Sequence, residues 1–292
     1  MQIERWLNVC FASLLMATSC EQSFDSYADE DAQLVVEGWI EDGGFPIVLL
    51  TRSLPVSTEY QRVDNMGDYI LRWAKVSVND GKDTVVLTGK YDDGYFPPFV
   101  YTTSRMRGEA GRHYSLTVDY RDFHAESTTI IPLPPRDCAF EVDQCNDSDT
   151  LFQVMVSFKD NPNEKNYYQA FVREGTTAKQ YLASYLGSLD DTVLDTLVLA
   201  PIFRGRKYDN KEYTPYYTIA DTISVKIASI DEASFRFWNS FTKMITLSNN
   251  MFLSASADIE TNISGGSGYW CGYGSVTNHI VIRDSISINE SQ

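Results

Sequence analysis

Histidine and cysteine are both scarce in this chain, three and five in 292 residues. Only His113, His124 and His279 could act as imidazole bases. No Cys-x-x-Cys pair exists, which excludes a zinc knuckle, and few nucleophiles could have an imidazole base within reach. The glycine-flanked Ser267, in Gly265-Gly266-Ser267-Gly268-Tyr269, lacks the final glycine of a nucleophile elbow; tight backbone packing and positive φ angles explain that run better. Cationic charge is short as well. Lys and Arg number 24 against 40 Asp and Glu, a net charge of -16, so nucleic acid is not an expected partner. Asp92-Asp93, and Asp143 with Asn146, Asp147 and Asp149, offer oxygens, but neither follows the spacing of a calcium loop. Neither a metal nor another cofactor is expected. Past residue 16 no apolar run approaches the roughly 20 residues that span a bilayer.

What the chain does have is aromatic and β-branched sequence: 18 Tyr, 15 Phe and a hydrophobic fraction of 43%. That composition is sufficient for a folded core and favours strands. Residues 34–40 read as a strand, 41–44 as a hairpin turn and 47–50 as the returning strand. A loop at 54–67 follows. Further strands are predicted at 74–78, 84–87, 99–101, 111–118 and 125–131, with Tyr114, Leu116 and Val118 on one face and His113 on the other. About seven short strands within about 100 residues predict an immunoglobulin-like or transthyretin-like sandwich over 33–133. Pro132, Pro134 and Pro135 mark a boundary, because proline cannot donate to a ladder. A second β-rich domain, 134–292, shows strands at 152–158, 167–173, 224–230 and 278–283 and one short helix at 231–241, capped by Ser229 or Asp231. Residues 174–222 are less regular.

The N-terminus resembles a bacterial lipoprotein signal: an apolar stretch at 6–16 runs into Ala17-Thr18-Ser19 and stops at Cys20. The resemblance implies removal of residues 1–19 and a lipid, a diacylglycerol with acyl chains such as palmitate, on Cys20. Residues 20–32 then form an acidic tether that resembles a surface-export tag. With Cys10 removed and Cys20 lipidated, Cys138, Cys145 and Cys271 remain; Cys138 and Cys145 could bridge, although their spacing alone does not establish the geometry.

Five motifs in order carry a second resemblance: Leu34-Val35-Val36-Glu37-Gly38-Trp39-Ile40, Ala74-x-Val76-x-Val78 with Asn79-Asp80-Gly81, Gly111-x-x-Tyr114-x-Leu116-x-Val118, Asp160-Asn161-Pro162 to Asn166-Tyr167-Tyr168, and Asn262-Ile263-x-Gly265-Gly266-x-Gly268-x-x-x-Gly272-Tyr273. Together they are similar to family 4249 of the domains of unknown function, Bacteroidetes lipoproteins often encoded beside TonB-dependent receptors. The resemblance implies an outer-membrane, surface-facing location and a transporter as company; it carries no activity.

With the usual carriers of catalysis isolated, contact is expected from aromatic loops, Tyr95, Phe96 and Phe99 or Tyr213, Tyr216 and Tyr217. The expected function is a lipid-anchored, non-catalytic binding or accessory protein serving nutrient uptake with a TonB-dependent transporter. A structural or adhesive surface module is the first alternative, and a surface hydrolase the second. A stable complex with a transporter, against self-assembly or adhesion, separates the first two.

Overall fold

The computed structural model describes residues 32–53, 67–160, 163–190, 197–205, 213–248 and 259–283. Cys20, residues 1–31, most of the loop expected at 54–67 and Pro162 lie outside them.

The chain is mainly β, as its alternation predicts. The first half supplies β1 (Leu34–Glu41), β2 (Ile47–Arg52), β3 (Lys75–Asn79), β4 (Thr84–Val86), β5 (Thr88–Tyr91), β6 (Phe99–Thr102), β7 (His113–Tyr120) and β8 (Phe123–Ile130). The second supplies β9 (Arg136–Gln144), β10 (Leu151–Lys159), β11 (Tyr167–Glu174), β12 (Leu182–Asp190), β13 (Leu197–Ile202), β14 (Tyr217–Thr218), β15 (Thr222–Ile230), the helix α1 (Glu232–Ser248) and β16 (Ser267–Val281).

Two sandwiches result. In the first, the order β4-β3-β7-β8 faces β5-β6-β2-β1, and Leu34, Val36, Ile40, Val76, Tyr114, Leu116 and Val118 close the core between them. In the second, β12-β11-β15 faces a smaller sheet in which β10 pairs with β9, β13 and β14. Phe152, Val154, Phe158, Val172, Val225 and Ile227 lie in its core.

The sandwiches share a strand. Residues 267–273 of β16 run parallel to β1, and residues 274–281 run antiparallel to β15, so the eight-stranded order β12-β11-β15-β16-β1-β2-β6-β5 passes from one sandwich into the other. The first sandwich therefore closes only with residues from the far end of the chain. Trp270 is fully buried in the first core and its indole donates to the Tyr114 carbonyl at 3.0 Å.

The glycine run makes that passage possible. Gly268 has φ +104°, where a side chain is strained, and a Cβ there would strike the Val36 carbonyl. At Gly272 and Gly274 a Cβ would meet the carbonyls of Ile130 and Pro132 as β16 crosses the end of β8. The sequence reading placed a strand only at 278–283, because glycines look like punctuation; here they admit close approach within one long strand.

Helix α1 extends beyond the expected 241 to Ser248. Asp231 is its cap, accepting from the Ser234 amide at 2.7 Å. The other Asp231 oxygen accepts from Thr129 Oγ1 at 2.7 Å and the Ile130 amide at 3.3 Å, so the cap also ties the helix to β8.

Strands β5, β9, β12, β13 and β14 were missed, and for three of them the reason is visible. β9 is exposed along most of its length, with only Cys138 and Phe140 half-buried against the second core, so its alternation is weak. β12 is interrupted by Leu186 at φ +57° and by a register shift against β11. β13 keeps Leu197 and Leu199 exposed, blurring its two faces.

Candidate binding cleft

Period-2 alternation gives β1, β11, β15 and β16 two working faces. One face of each enters a sandwich core. The other carries Glu37, Trp39 and Glu41 from β1, Tyr167, Phe171 and Arg173 from β11, Lys226 and Ala228 from β15, and Tyr269, Cys271 and Tyr273 from β16. These second faces meet under α1, whose Phe237 and Trp238 complete a third apolar cluster. The rings are mutually packed: Phe171 to Trp238 at 5.3 Å, Phe237 to Tyr269 at 4.6 Å and Phe171 to Tyr273 at 5.1 Å between centroids.

A cleft with two lobes opens beside that cluster. The smaller, about 340 Å³, is walled by Trp39, Glu41, Tyr95, Tyr181, Lys226 and Tyr273 among others. The larger, about 740 Å³, lies between α1 and the start of β12, with Phe237, Phe241, Met244 and Ile245 opposite Leu182 and Ala183. Tyr181, Trp238 and Tyr269 line both lobes. Both volumes fall in the range of small-molecule sites, roughly 300–1,000 Å³.

Polar groups sit where the lobes join. Glu37 accepts from the Tyr269 hydroxyl at 2.9 Å and from Gln180 Nε2 at 2.8 Å; burial raises its pKa against the pull of those two bonds. Lys226, itself buried, pairs with Glu41 and lies 4.0 Å from the centre of the Tyr181 ring. Burial lowers its pKa and the Glu41 charge opposes that. Desolvation holds the Tyr269 and Tyr273 hydroxyls well above the usual tyrosine range and pushes the Cys271 thiol up to about 12. These hydroxyls and this thiol stay protonated at neutral pH. They can hydrogen-bond and pack but not act as ready nucleophiles.

The loop between β5 and β6 reaches across the mouth. Asp92 holds Lys179 at 2.8 Å, the Gly94 carbonyl accepts from the Lys179 and Gln180 amides, and the Phe96 amide donates to Gln180 Oε1 at 2.8 Å. The Lys179 hydrogen bond, with smaller help from the Gly94 amide and the Lys179 and Lys90 charges, lowers the Asp92 pKa against burial. The loop's contacts latch the first sandwich to the segment leading into β12.

The residues expected to make contact are divided by this geometry. Tyr95 walls the smaller lobe, 6.2 Å from the Trp39 ring. Phe96 is half exposed over a separate hollow of about 440 Å³ with Tyr91 and Arg72. Phe99 packs edge-on against Tyr101 and supports the first core. In the second cluster, Tyr213 donates to the Arg204 carbonyl at 2.8 Å and packs behind Tyr185, while Tyr216 packs on Phe203. Tyr217 is wholly buried in the second core and is corrected from contact residue to core residue: as part of β14 it faces inward beside Phe152.

The bridge considered between Cys138 and Cys145 is also corrected; both are free thiols. They lie at the start and just past the end of β9, about 23 Å apart at strand rise, whereas a disulfide needs α-carbons within about 4.4–6.8 Å. Burial pushes the Cys138 thiol up to about 11.

Ser224 and His279, cross-strand neighbours, lie 2.7 Å apart. Ser224 is buried and its Oγ already accepts from Arg173 at 2.9 Å, which leaves it poorly placed to attack a substrate. Among the described residues no three or more His, Cys, Asp or Glu side chains are grouped to hold a metal ion, and no helix is long and apolar enough to cross a membrane.

Sequence reasoning missed Glu37, Trp39, Tyr181, Lys226 and Trp238 as cleft residues. A signal was present in two of them: Glu37 and Lys226 each place a charge in the middle of a strand whose neighbouring positions are largely buried. A profile of the family described as a domain of unknown function, DUF4249, matches residues 21–279. No curated protein matches the chain.

Proposed function

The chain belongs to the DUF4249 family, and from that premise we propose that it is a lipid-anchored, non-catalytic binding protein of the outer membrane, facing the cell surface and serving a TonB-dependent transporter. Its ligand enters the cleft between the two sandwiches. The observation that carries the binding reading is the cleft itself: two joined lobes, mostly apolar, with a few convergent polar groups at Glu37, Gln180, Glu41 and Lys226. The anchor reading rests on the apolar stretch and Ala17-Thr18-Ser19 before Cys20. The transporter reading rests on the family resemblance.

The cleft's carboxylates are already engaged within the protein: Glu37 accepts from Tyr269 and Gln180, and Glu41 pairs with Lys226. That arrangement suits a binding wall better than a pair of carboxylates poised for glycoside hydrolysis.

The test is native mass spectrometry of the protein isolated from cells that make it, beside an Ala183→Trp variant that fills the larger lobe. A co-purifying small molecule present in the wild type and absent from the folded variant supports the cleft as the binding site. An identical bound mass in both, or none in either, contradicts it.

A further inference from the structure

We infer that the ligand of this cleft is a long-chain carboxylate, its acyl tail lying along α1 in the larger lobe and its carboxylate beside Tyr181, facing Arg173 and Lys226. This deepens the binding reading above and rests on it.

The tail position follows from the larger lobe's walls. Phe237, Phe241, Met244 and Ile245 of α1 face Leu182 and Ala183 across it. From Phe237 to Ile245 the helix rises about 12 Å, which makes the lobe a trough and not a round pocket. Gln180 Nε2 and the Tyr269 hydroxyl both donate to Glu37, so these groups already engage one another through that carboxylate. An alkyl chain lying against the apolar α1 wall asks nothing of them.

The head position follows from charge. The Lys226 ammonium lies 4.0 Å, and the Arg173 guanidinium carbon 4.9 Å, from the centre of the Tyr181 ring. Glu41 pairs with Lys226, and Asp92 neutralises Lys179. Arg173 has no carboxylate partner among the described residues: one of its terminal nitrogens donates to the neutral Ser224 hydroxyl, and its Nε is buried with no hydrogen-bond partner. Arg173 is on the face of β11 that carries Phe171, a wall of the smaller lobe. Two cations therefore share one ring with a single carboxylate, in a protein whose net charge is -16. A ligand carboxylate balances that local excess and gives Arg173 a charge-assisted partner. A cationic ligand is disfavoured, because Lys226 already holds the Tyr181 face.

The test titrates the full chain carrying Cys20→Ala, so that no detergent competes, with octanoate, decanoate, dodecanoate, dodecan-1-ol and maltohexaose. Binding is followed by calorimetry. Going from octanoate to dodecanoate should tighten binding on the order of 100-fold, since each buried methylene contributes about 0.8 kcal/mol. Dodecan-1-ol should bind at least 10-fold more weakly than dodecanoate. Arg173→Gln should erase that difference, and Met244→Glu should weaken both. The comparison of dodecanoate with dodecan-1-ol on the parent chain stands even if a variant fails to fold. Equal binding of acid and alcohol would overturn the anionic head. Maltohexaose binding without dodecanoate would overturn the acyl ligand while leaving the cleft reading intact. Binding of no probe would also overturn the carboxylate assignment; the cleft reading then stands or falls on the co-purifying mass.

Discussion

Replacing Trp270 with alanine should remove a large share of the stability of the first sandwich, although the residue lies over 130 positions beyond β8 in sequence. Trp270 is fully buried, and its Cε3 lies 2.8 Å from where a Gly38 Cβ would sit, so the ring fills a slot shaped by a glycine. Truncating a buried Trp costs about 3–5 kcal/mol through lost transfer energy and the cavity left behind. The Tyr114 carbonyl loses its indole donor besides, which adds to the loss. Small domains are stable by only about 5–15 kcal/mol in all. Urea unfolding followed by far-ultraviolet circular dichroism should show the loss as an early transition from the first sandwich, separate from that of the second. A fragment of residues 33–133, which lacks both Trp270 and the β16 partner of β1, should show no cooperative transition, and extending it to residue 283 should restore one. A cost below about 1 kcal/mol for Trp270→Ala, or cooperative unfolding of 33–133 alone, would refute the shared-strand account.

Four other outcomes follow from the same geometry. Glu37 has a folded pKa raised above 4.5, so its protonated form is favoured; that contribution is complete below the unfolded pKa and is lost as pH rises through the folded one. Glu37→Gln should therefore match the wild type in thermal unfolding at pH 4 and below and exceed it by a margin that grows as pH rises to the folded pKa and then levels off, whereas a difference independent of pH would contradict burial as the cause. Lys226→Met should cost about 3–5 kcal/mol by stranding Glu41, with Glu41→Leu added to it recovering most of that loss in a double-mutant cycle. Asp231→Ala should cost about 1 kcal/mol or more, since it removes both the α1 cap and the tie to Thr129, and calorimetry can measure it. Cys20→Ala should move the protein from the membrane fraction to the soluble one; membrane retention without an N-terminal lipid by mass spectrometry would refute the anchor.

The fold was legible where the two faces of a strand differ in polarity. β1, β3, β7 and β10 alternate, and their positions follow from the sequence to within a residue or two at most ends. The cleft was less legible because its walls come from strands buried on both faces. β11 and β15 are near-continuous runs of buried residues, and no alternation tells which side chains face a core and which face α1. Local aromatic density drew attention to Tyr95, which is in the cleft, and to Tyr217, which is not; composition cannot distinguish a ring under a loop from a ring at a mouth. The pairing of β16 with β1 joins residues over 230 positions apart and leaves no local trace in the chain.

Hydrogen–deuterium exchange on the protein with its co-purified ligand, and again after the ligand is removed, tests the central claim that ligand enters between the two sandwiches. Bound ligand should slow exchange in peptides covering 34–41, 180–185, 235–245 and 267–273 together, with little change at 136–144 or 197–202. Protection confined to those outer strands, or to the hollow beside Phe96, would contradict it.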